Sequence, residues 1–319
     1  MNRRRSSGRA SAQRRAQRSQ PKFDMLPALQ RGIPCCEPMD TEQVHRIDEA
    51  SMAILEEVGV VFRDPVALQQ WKEHGARVDG ERVYFDRAQI RELIKSIPAE
   101  ITYHARDPGK NVTIGGDSSI FVPMTGAPFV VDLENERRLP TLDDLAMFHK
   151  LSHMSPALHS SAHHIVEPMD CRISHRHLHI TYSSMKYSDK TFMGMTTSGK
   201  NAEDVLDMCA ILFGEEYLER HAVVTGNCNG NSPLIWDETM LSAMRAFCER
   251  NQPVLCSPFI MGGANTPAST AAAVAQLNAE ALSALAYTQV VRKGCPAIYG
   301  HYLSCLLYTS DAADECPAV

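Results

Sequence analysis

The sequence has no run of about 18 or more uncharged apolar residues, which excludes a membrane-spanning helix. Its start, MNRRRSSGRASAQRRAQRSQ, has no apolar core, which excludes a secretory signal. An Arg- and Ser-rich stretch without acids leaves a transit peptide as the lesser alternative. No C-x-x-C occurs among the ten cysteines, so zinc-ribbon and redox spacings are missing. Scattered thiols in apolar runs pack as small hydrophobes, and a reducing cytoplasm is the expected location.

Acidic residues are missing from the strongly basic start of the chain. Residues 1–22 hold seven Arg and Lys22 and no acid, leaving 24 bases against 38 acids in the rest. An acidic body argues against nucleic-acid binding, and the stub has no aromatic to stack on a base. Residues 1–24 are therefore expected to be a disordered basic tail. The whole chain, 44% apolar and 22% charged, has an ordinary globular composition and is long enough for one large domain or two smaller ones.

Two regions are expected within it. Residues 25–117 read as a small α+β cap. Asp40 or Thr41 caps its first helix, short helices follow at 65–76 and 87–96, and strands lie at Arg82–Phe85, Ile101–Ala105 and Val112–Ile114. Residues 118–304 repeat a β-rich run followed by a helical segment. The runs are Ile120–Met124, Ser161–Val166, Thr191–Thr196, Ala222–Gly226, Val254–Ile260 and Ala297–Gly300. Most starts are about thirty residues apart, the length of a βαβ unit. The first gap is longer, and Pro128–Arg138 fits a hairpin there.

Helix ends are legible too. Thr141 and Asp144 form a capping-box pattern, Asn201 can cap the next helix, and Thr266 followed by Pro267 can start a long Ala-rich helix. Gln276, Asn278, Glu280 and Gln289 on that helix suit anchoring it to the barrel.

Strands separated by helices are most simply parallel. With no G-x-G-x-x-G after the first run, an incomplete (β/α)8-type (TIM) barrel of about six βα units is expected rather than a dinucleotide fold. Reactive groups then belong at the C-terminal strand ends. That places Thr125, His164, Glu167, Thr197, Asn227, Gly262, Gly263 and Tyr302 as candidate substrate-binding residues; no catalytic residue is assigned. The turn from Gly262 to Pro267 joins a strand to a helix start, a place suited to a carboxylate or phosphate, or simply a capped turn. His175, His177 and His179 raise a metal-dependent barrel hydrolase as a rival, although a helix would turn successive imidazoles about 200° apart.

Longer motifs carry a resemblance. Asn251-Gln-Pro253, Pro258-Phe-Ile-Met-Gly-Gly-Ala264, Thr266-Pro-Ala268 and Ala275-Gln-Leu-Asn-Ala-Glu280 resemble the trimethylamine methyltransferase family. Ala105–Pro108, Gly126–Asp132, Arg137–Asp144 and Pro296–Gly300 agree, so the likeness runs from about Met25 to Gly300. It implies a barrel enzyme that moves a methyl group from trimethylamine, or a quaternary amine such as glycine betaine, to the cobalt of a corrinoid on a separate small protein. It implies no tightly bound cofactor, a corrinoid protein and a small methylated amine as partners, and a homo-oligomeric full-length form. Founding members activate the amine with a pyrrolysine, whose position in the family pattern lies beyond residue 304; many relatives lack it. A methylammonium would be met by Glu167, Phe259, Trp236 or Tyr302, and a betaine carboxylate by the Gly263–Thr266 turn.

The end of the chain reads differently. Cys305 to Asp314, CLLYTSDAAD, resembles the translation of a transposon-type sequencing adapter. The natural sequence is thus expected to stop near Ser304, with 305–319 a non-native tail, and an inactive fragment of the methyltransferase is a further alternative.

Overall fold

A computed structural model of the chain describes residues 24–306. The expected basic tail, apart from Asp24, and the expected foreign tail, apart from Cys305 and Leu306, lie outside the described residues.

The region to residue 119 contains β1 (Leu29–Gln30), α1 (Thr41–Ala53), β2 (Val60–Arg63), α2 (Pro65–Glu73), β3 (Arg77–Asp79), β4 (Arg82–Tyr84), α3 (Arg87–Ile94), β5 (Glu100–Tyr103), β6 (Val112–Gly115) and β7 (Ser118–Ser119). Asp40 accepts from Gln43 N while the Gln43 side chain accepts from Asp40 N, a reciprocal cap for α1. Strands β1, β7, β6 and β5 form one antiparallel sheet.

Then follow β8 (Val130–Val131), β9 (Arg137–Arg138), α4 (Leu142–Met154), α5 (Ile173–Tyr187), β10 (Phe192–Gly194), α6 (Gly199–Phe213), α7 (Glu215–Arg220), β11 (Val224–Cys228), β12 (Ile235–Asp237), α8 (Glu238–Glu249), β13 (Val254–Cys256), β14 (Phe259–Gly262), α9 (Thr270–Val291), β15 (Ala297–Tyr299) and β16 (Tyr302–Cys305). The expected hairpin is β8–β9. The Thr141–Asp144 capping box forms as read.

Strands β10, β11, β13 and β15 lie side by side, all parallel. Single parallel bridges extend the array: Ser160 pairs with Thr191, and Ala127 with Val166. The six expected runs are therefore neighbours in chain order. The first two are corrected in kind, since Ile120–Met124 is irregular and Ser161–Val166 makes only isolated bridges. Phe121 N there donates to the His159 ring at 3.0 Å rather than to a ladder carbonyl. The run Val254–Ile260 is split, because Pro258 has no N–H to donate. Its carbonyl still accepts from Tyr302 N at 2.9 Å, which starts the β14–β16 pair. Among the described residues the array is open and does not close into a barrel.

Two helix starts are corrected. Ser198, not Asn201, caps α6, with its side chain accepting from Asn201 N. Helix α9 begins at Thr270 rather than after Thr266, because Thr266 is spent in a bridge with Gly262.

The outer face of the array packs on helices. Gly194 and Gly226 leave room for the buried ring of Phe247 on α8; a Cβ on either would stand 2.8 or 2.9 Å from it. Strand β12 adds in parallel to β2, extending the sheet β2–β4–β3. Phe62 and Trp71 meet Tyr287 of α9 at ring distances of 5.8 and 6.1 Å, so one core runs through both regions. Glu280 accepts from Leu234 N and the Gln276 amide, both at 2.9 Å, and Asn278 reaches Ser51 at 3.0 Å. These polar residues tie α9 to the loop at Leu234 and to α1, where anchoring to a barrel was expected.

Buried side chains also fix the second run. Lys190 donates to the carbonyls of Ser152, Ser155 and Leu158 at 2.8, 2.6 and 2.6 Å, and burial pushes its ammonium pKa down to about 8. His149 of α4 is wholly buried. Its Nε2–H donates to His163 O at 2.7 Å and its Nδ1 accepts from Ser183 Oγ at 2.8 Å.

Candidate functional site

Side chains alternate across a strand, so residues two apart share a face. On the inner face of the array that set is Met193, Thr225 and Asn227, Leu255 and Ser257, and Ile298. Register aligns them, with Met193 opposite Thr225 and Asn227 opposite Leu255, itself opposite Ile298. They wall a cavity of about 640 Å³, a size suited to a small organic molecule.

The irregular stretch from Ile120 to Thr125 closes one side. Its shape is held by the second run, since Gly126 N donates to His164 O at 2.7 Å and His159 N to Phe121 O at 2.9 Å. The cap sheet supplies Tyr103 and Ile114. Tyr103 pairs with Ala222, just ahead of β11, and its hydroxyl accepts from Thr225 Oγ1 at 2.6 Å. The cap thus floors the cavity at the N-terminal ends of the strands. Burial raises the Tyr103 pKa, so the phenol stays neutral. Asn229, Phe259 and Tyr302 lie toward the C-terminal ends. Among the described residues that line it, none is Asp, Glu, Lys, Arg or His.

Of the sequence candidates, Thr125, Asn227 and Tyr302 come together here. The others do not line this cavity. His164 and Glu167 stand 3.9 Å apart, with Glu167 accepting from Arg176 at 2.7 Å. Burial lowers the His164 pKa. Thr197 accepts from Asn201 Nδ2 at 2.8 Å beside α6. Of the aromatics expected to meet a cation, Phe259 reaches the cavity, whereas Trp236 is buried with its indole N–H on Ser283. Tyr103, Thr225 and Ser257 escaped sequence reading. The alternation along β11 could have found Thr225, but nothing local marks Tyr103.

Gly262 and Gly263 end β14 in a turn whose N–H groups are engaged. Gly263 N donates to Thr266 O at 3.0 Å, and Ala264 N and Asn265 N donate to Met261 O at 3.0 and 3.2 Å. With α9 starting four residues after Thr266, no helix N-terminus backs this turn, so its expected role as an anion cradle is corrected. Gly263 has φ +84° and open space, with Leu306 Cβ 3.9 Å from where a Cβ would sit. Gly263→Ala should cost about 1 kcal/mol from backbone strain alone. Thermal melts should register that loss while ligand binding in the cavity stays unchanged.

The histidine triplet is helical. His175 and His179 on α5 are exposed, and only His177 is buried, 2.9 Å from Asp204. Among the described residues no group of three or more His, Cys, Asp or Glu is placed to hold a metal ion, so the hydrolase alternative loses its geometry. Burial pushes the Cys228 thiol up to about 12. No described helix is long and apolar enough to cross a membrane.

A parallel array with helices on one face and an uncharged cavity on the other makes this an α/β chain with room for a small ligand. A sequence model described as trimethylamine methyltransferase (MTTB) matches residues 5–313, and the chain belongs to that family of methyltransferase enzymes. Over 260 residues it is 41% identical to a glycine betaine methyltransferase of Desulfitobacterium hafniense (strain Y51), covering 81% of this chain and 54% of that protein. A proline betaine:corrinoid methyltransferase of Eubacterium limosum is 28% identical, with 82% and 56% covered. A trimethylamine methyltransferase MttB of Desulfitobacterium hafniense (strain DSM 10664 / DCB-2) is 26% identical, with 81% and 53% covered. The chain spans about half the length of these curated relatives.

Proposed function

We propose that this chain binds a methylated amine and presents its methyl group to a corrinoid carried by a separate protein. The observation that carries the reading is the cavity: small, without charge, and open where the ends of parallel strands converge. Its volume suits the amine and not a resident macrocycle, which agrees with a corrinoid that arrives on a partner. When bound, the reduced corrinoid supplies the nucleophile for the methyl carbon. This chain's part is to strip water from the amine and hold one N–CH3 toward the mouth, between Phe259 and Tyr302. A quaternary nitrogen already leaves as a neutral amine, so no general acid is required.

The likeness to a glycine betaine methyltransferase favours glycine betaine among the amines. We further infer that the six ordered runs belong to an incomplete (β/α)8-type barrel with residues 25–117 as its cap. Reduced thiols buried in the core, Cys209, Cys228, Cys248 and Cys256 among them, favour a reducing cytoplasm.

The test mixes the purified chain, a reduced corrinoid protein and glycine betaine, with a full-length relative as positive control. Methyl–cobalt absorbance above the no-protein background is expected. Its absence with glycine betaine, other betaines and trimethylamine alike would remove the activity.

A further inference from the structure

The cavity wall is largely apolar, and the polar side chains set into it among the described residues are uncharged. Its polar side chains are hydroxyls and the amides of Asn227 and Asn229. Several hydroxyl hydrogens are committed elsewhere. Ser160 Oγ donates to Thr191 O at 3.0 Å, Thr191 Oγ1 to His159 O at 3.1 Å, and Thr225 Oγ1 to Tyr103 Oη at 2.6 Å. What these groups still offer a ligand is lone pairs.

Asn227 goes further. Its Oδ1 is buried and, among the described residues, has no hydrogen-bond partner. Its backbone is pinned, since Asn227 O accepts from Thr196 Oγ1 at 2.6 Å and the residue pairs with Leu255 across β11 and β13. A buried carbonyl oxygen left unpaired is costly unless something positive meets it. Nearer the mouth, the rings of Phe259 and Tyr302 stand 6.0 Å apart and offer faces to a cation.

We propose that Asn227 sets the charge selectivity of this cavity: its neutral amide accepts the trimethylammonium end of a zwitterion and disfavours a bare cation of the same size. The proposal rests on the methyl-donor reading above. A bare cation entering the cavity loses water and finds no counter-charge in the wall. A zwitterion brings its own carboxylate, and the attraction between its two charges strengthens as the surroundings become less polar. A neutral wall therefore favours a ligand that is neutral overall. Asn227→Asp keeps the side chain's shape and supplies the missing anion, so it should reverse the preference.

Calorimetric titration of the chain with glycine betaine, choline and 3,3-dimethylbutanoate tests this. Glycine betaine is expected to bind roughly tenfold tighter than choline, and the uncharged-carbon analogue more weakly than either. In N227D, choline should overtake glycine betaine. Asn229→Asp, on an exposed residue, should move the ratio far less. If N227D fails to fold, as judged by circular dichroism, Asn227→Ala must instead weaken both ammonium ligands toward the affinity of 3,3-dimethylbutanoate, because it removes the accepting oxygen. Equal binding of betaine and choline, no binding of either, a betaine-to-choline ratio unmoved by Asn227→Asp, or ammonium binding unmoved by Asn227→Ala would overturn the proposal. The methyl-transfer reading fails separately: betaine bound with the expected preference but no methyl–cobalt formed would sink that reading and leave the selectivity standing.

Discussion

Phe247→Ala should lower the chain's stability by about 3–5 kcal/mol, a large fraction of what holds an ordinary domain folded. Phe247 is fully buried, and it fills the space that Gly194 and Gly226 leave on the outer face of the parallel array. Removing the ring opens a void at two strand positions, Gly194 and Gly226, that carry no side chain to fill it. The glycines supply the control. Gly226→Ala alone places a Cβ 2.9 Å from the ring and should cost about 1–3 kcal/mol by overpacking. In the Phe247→Ala background that same methyl group enters empty space, and its cost should vanish or change sign. Urea unfolding of both single variants and the double variant measures the coupling. Additive losses would mean that the ring and the glycines do not share one packing site.

Acid should weaken the fold before its carboxylates are neutralised, and two buried histidines are the cause. Burial pushes the His149 pKa down to about 4, against 6.5 for a free imidazole. Between those values the unfolded chain binds the proton and the folded chain does not. The contribution is therefore fully present above pH 6.5 and is lost as pH falls toward 4, up to roughly 3 kcal/mol. His163, wholly buried with its pKa also lowered, acts in the same direction. Urea midpoints between pH 7.5 and pH 5 should fall steadily. His149→Leu should be less stable at neutral pH, since Ser183 and His163 O lose their partner, yet show a shallower pH slope. An unchanged slope would exclude His149 as the sensor.

The order of the parallel array was legible because each run is bracketed by a helical segment, and a crossover of that length leaves few topologies. Where the sequence misled, local chemistry had competing solutions. Ser198 and Asn201 can both cap α6, and only the entering chain direction chooses Ser198. Thr266 with Pro267 has every feature of a helix start, yet its carbonyl accepts from Gly263 N and its backbone bridges Gly262, so the helix waits until Thr270. The cavity was half legible. Thr125, Asn227 and Tyr302 sit at strand ends, where the fold class directs attention. Tyr103 could not have been found, because its partner Thr225 is 122 residues away and the contact exists only once the cap is seated.

The seating of Tyr103 bears on kinetics. With the base of the cavity closed by Tyr103 and its sheet, the methyl transfer proposed above requires a small ligand and a large protein both to use the C-terminal side. A partner bound there would stand in the ligand's path. On that proposal the reaction follows a compulsory order: amine first, partner second, and demethylated amine released only after the partner has left. Initial-rate plots should then intersect rather than run parallel. Excess partner should inhibit by sealing the cavity while it is still empty.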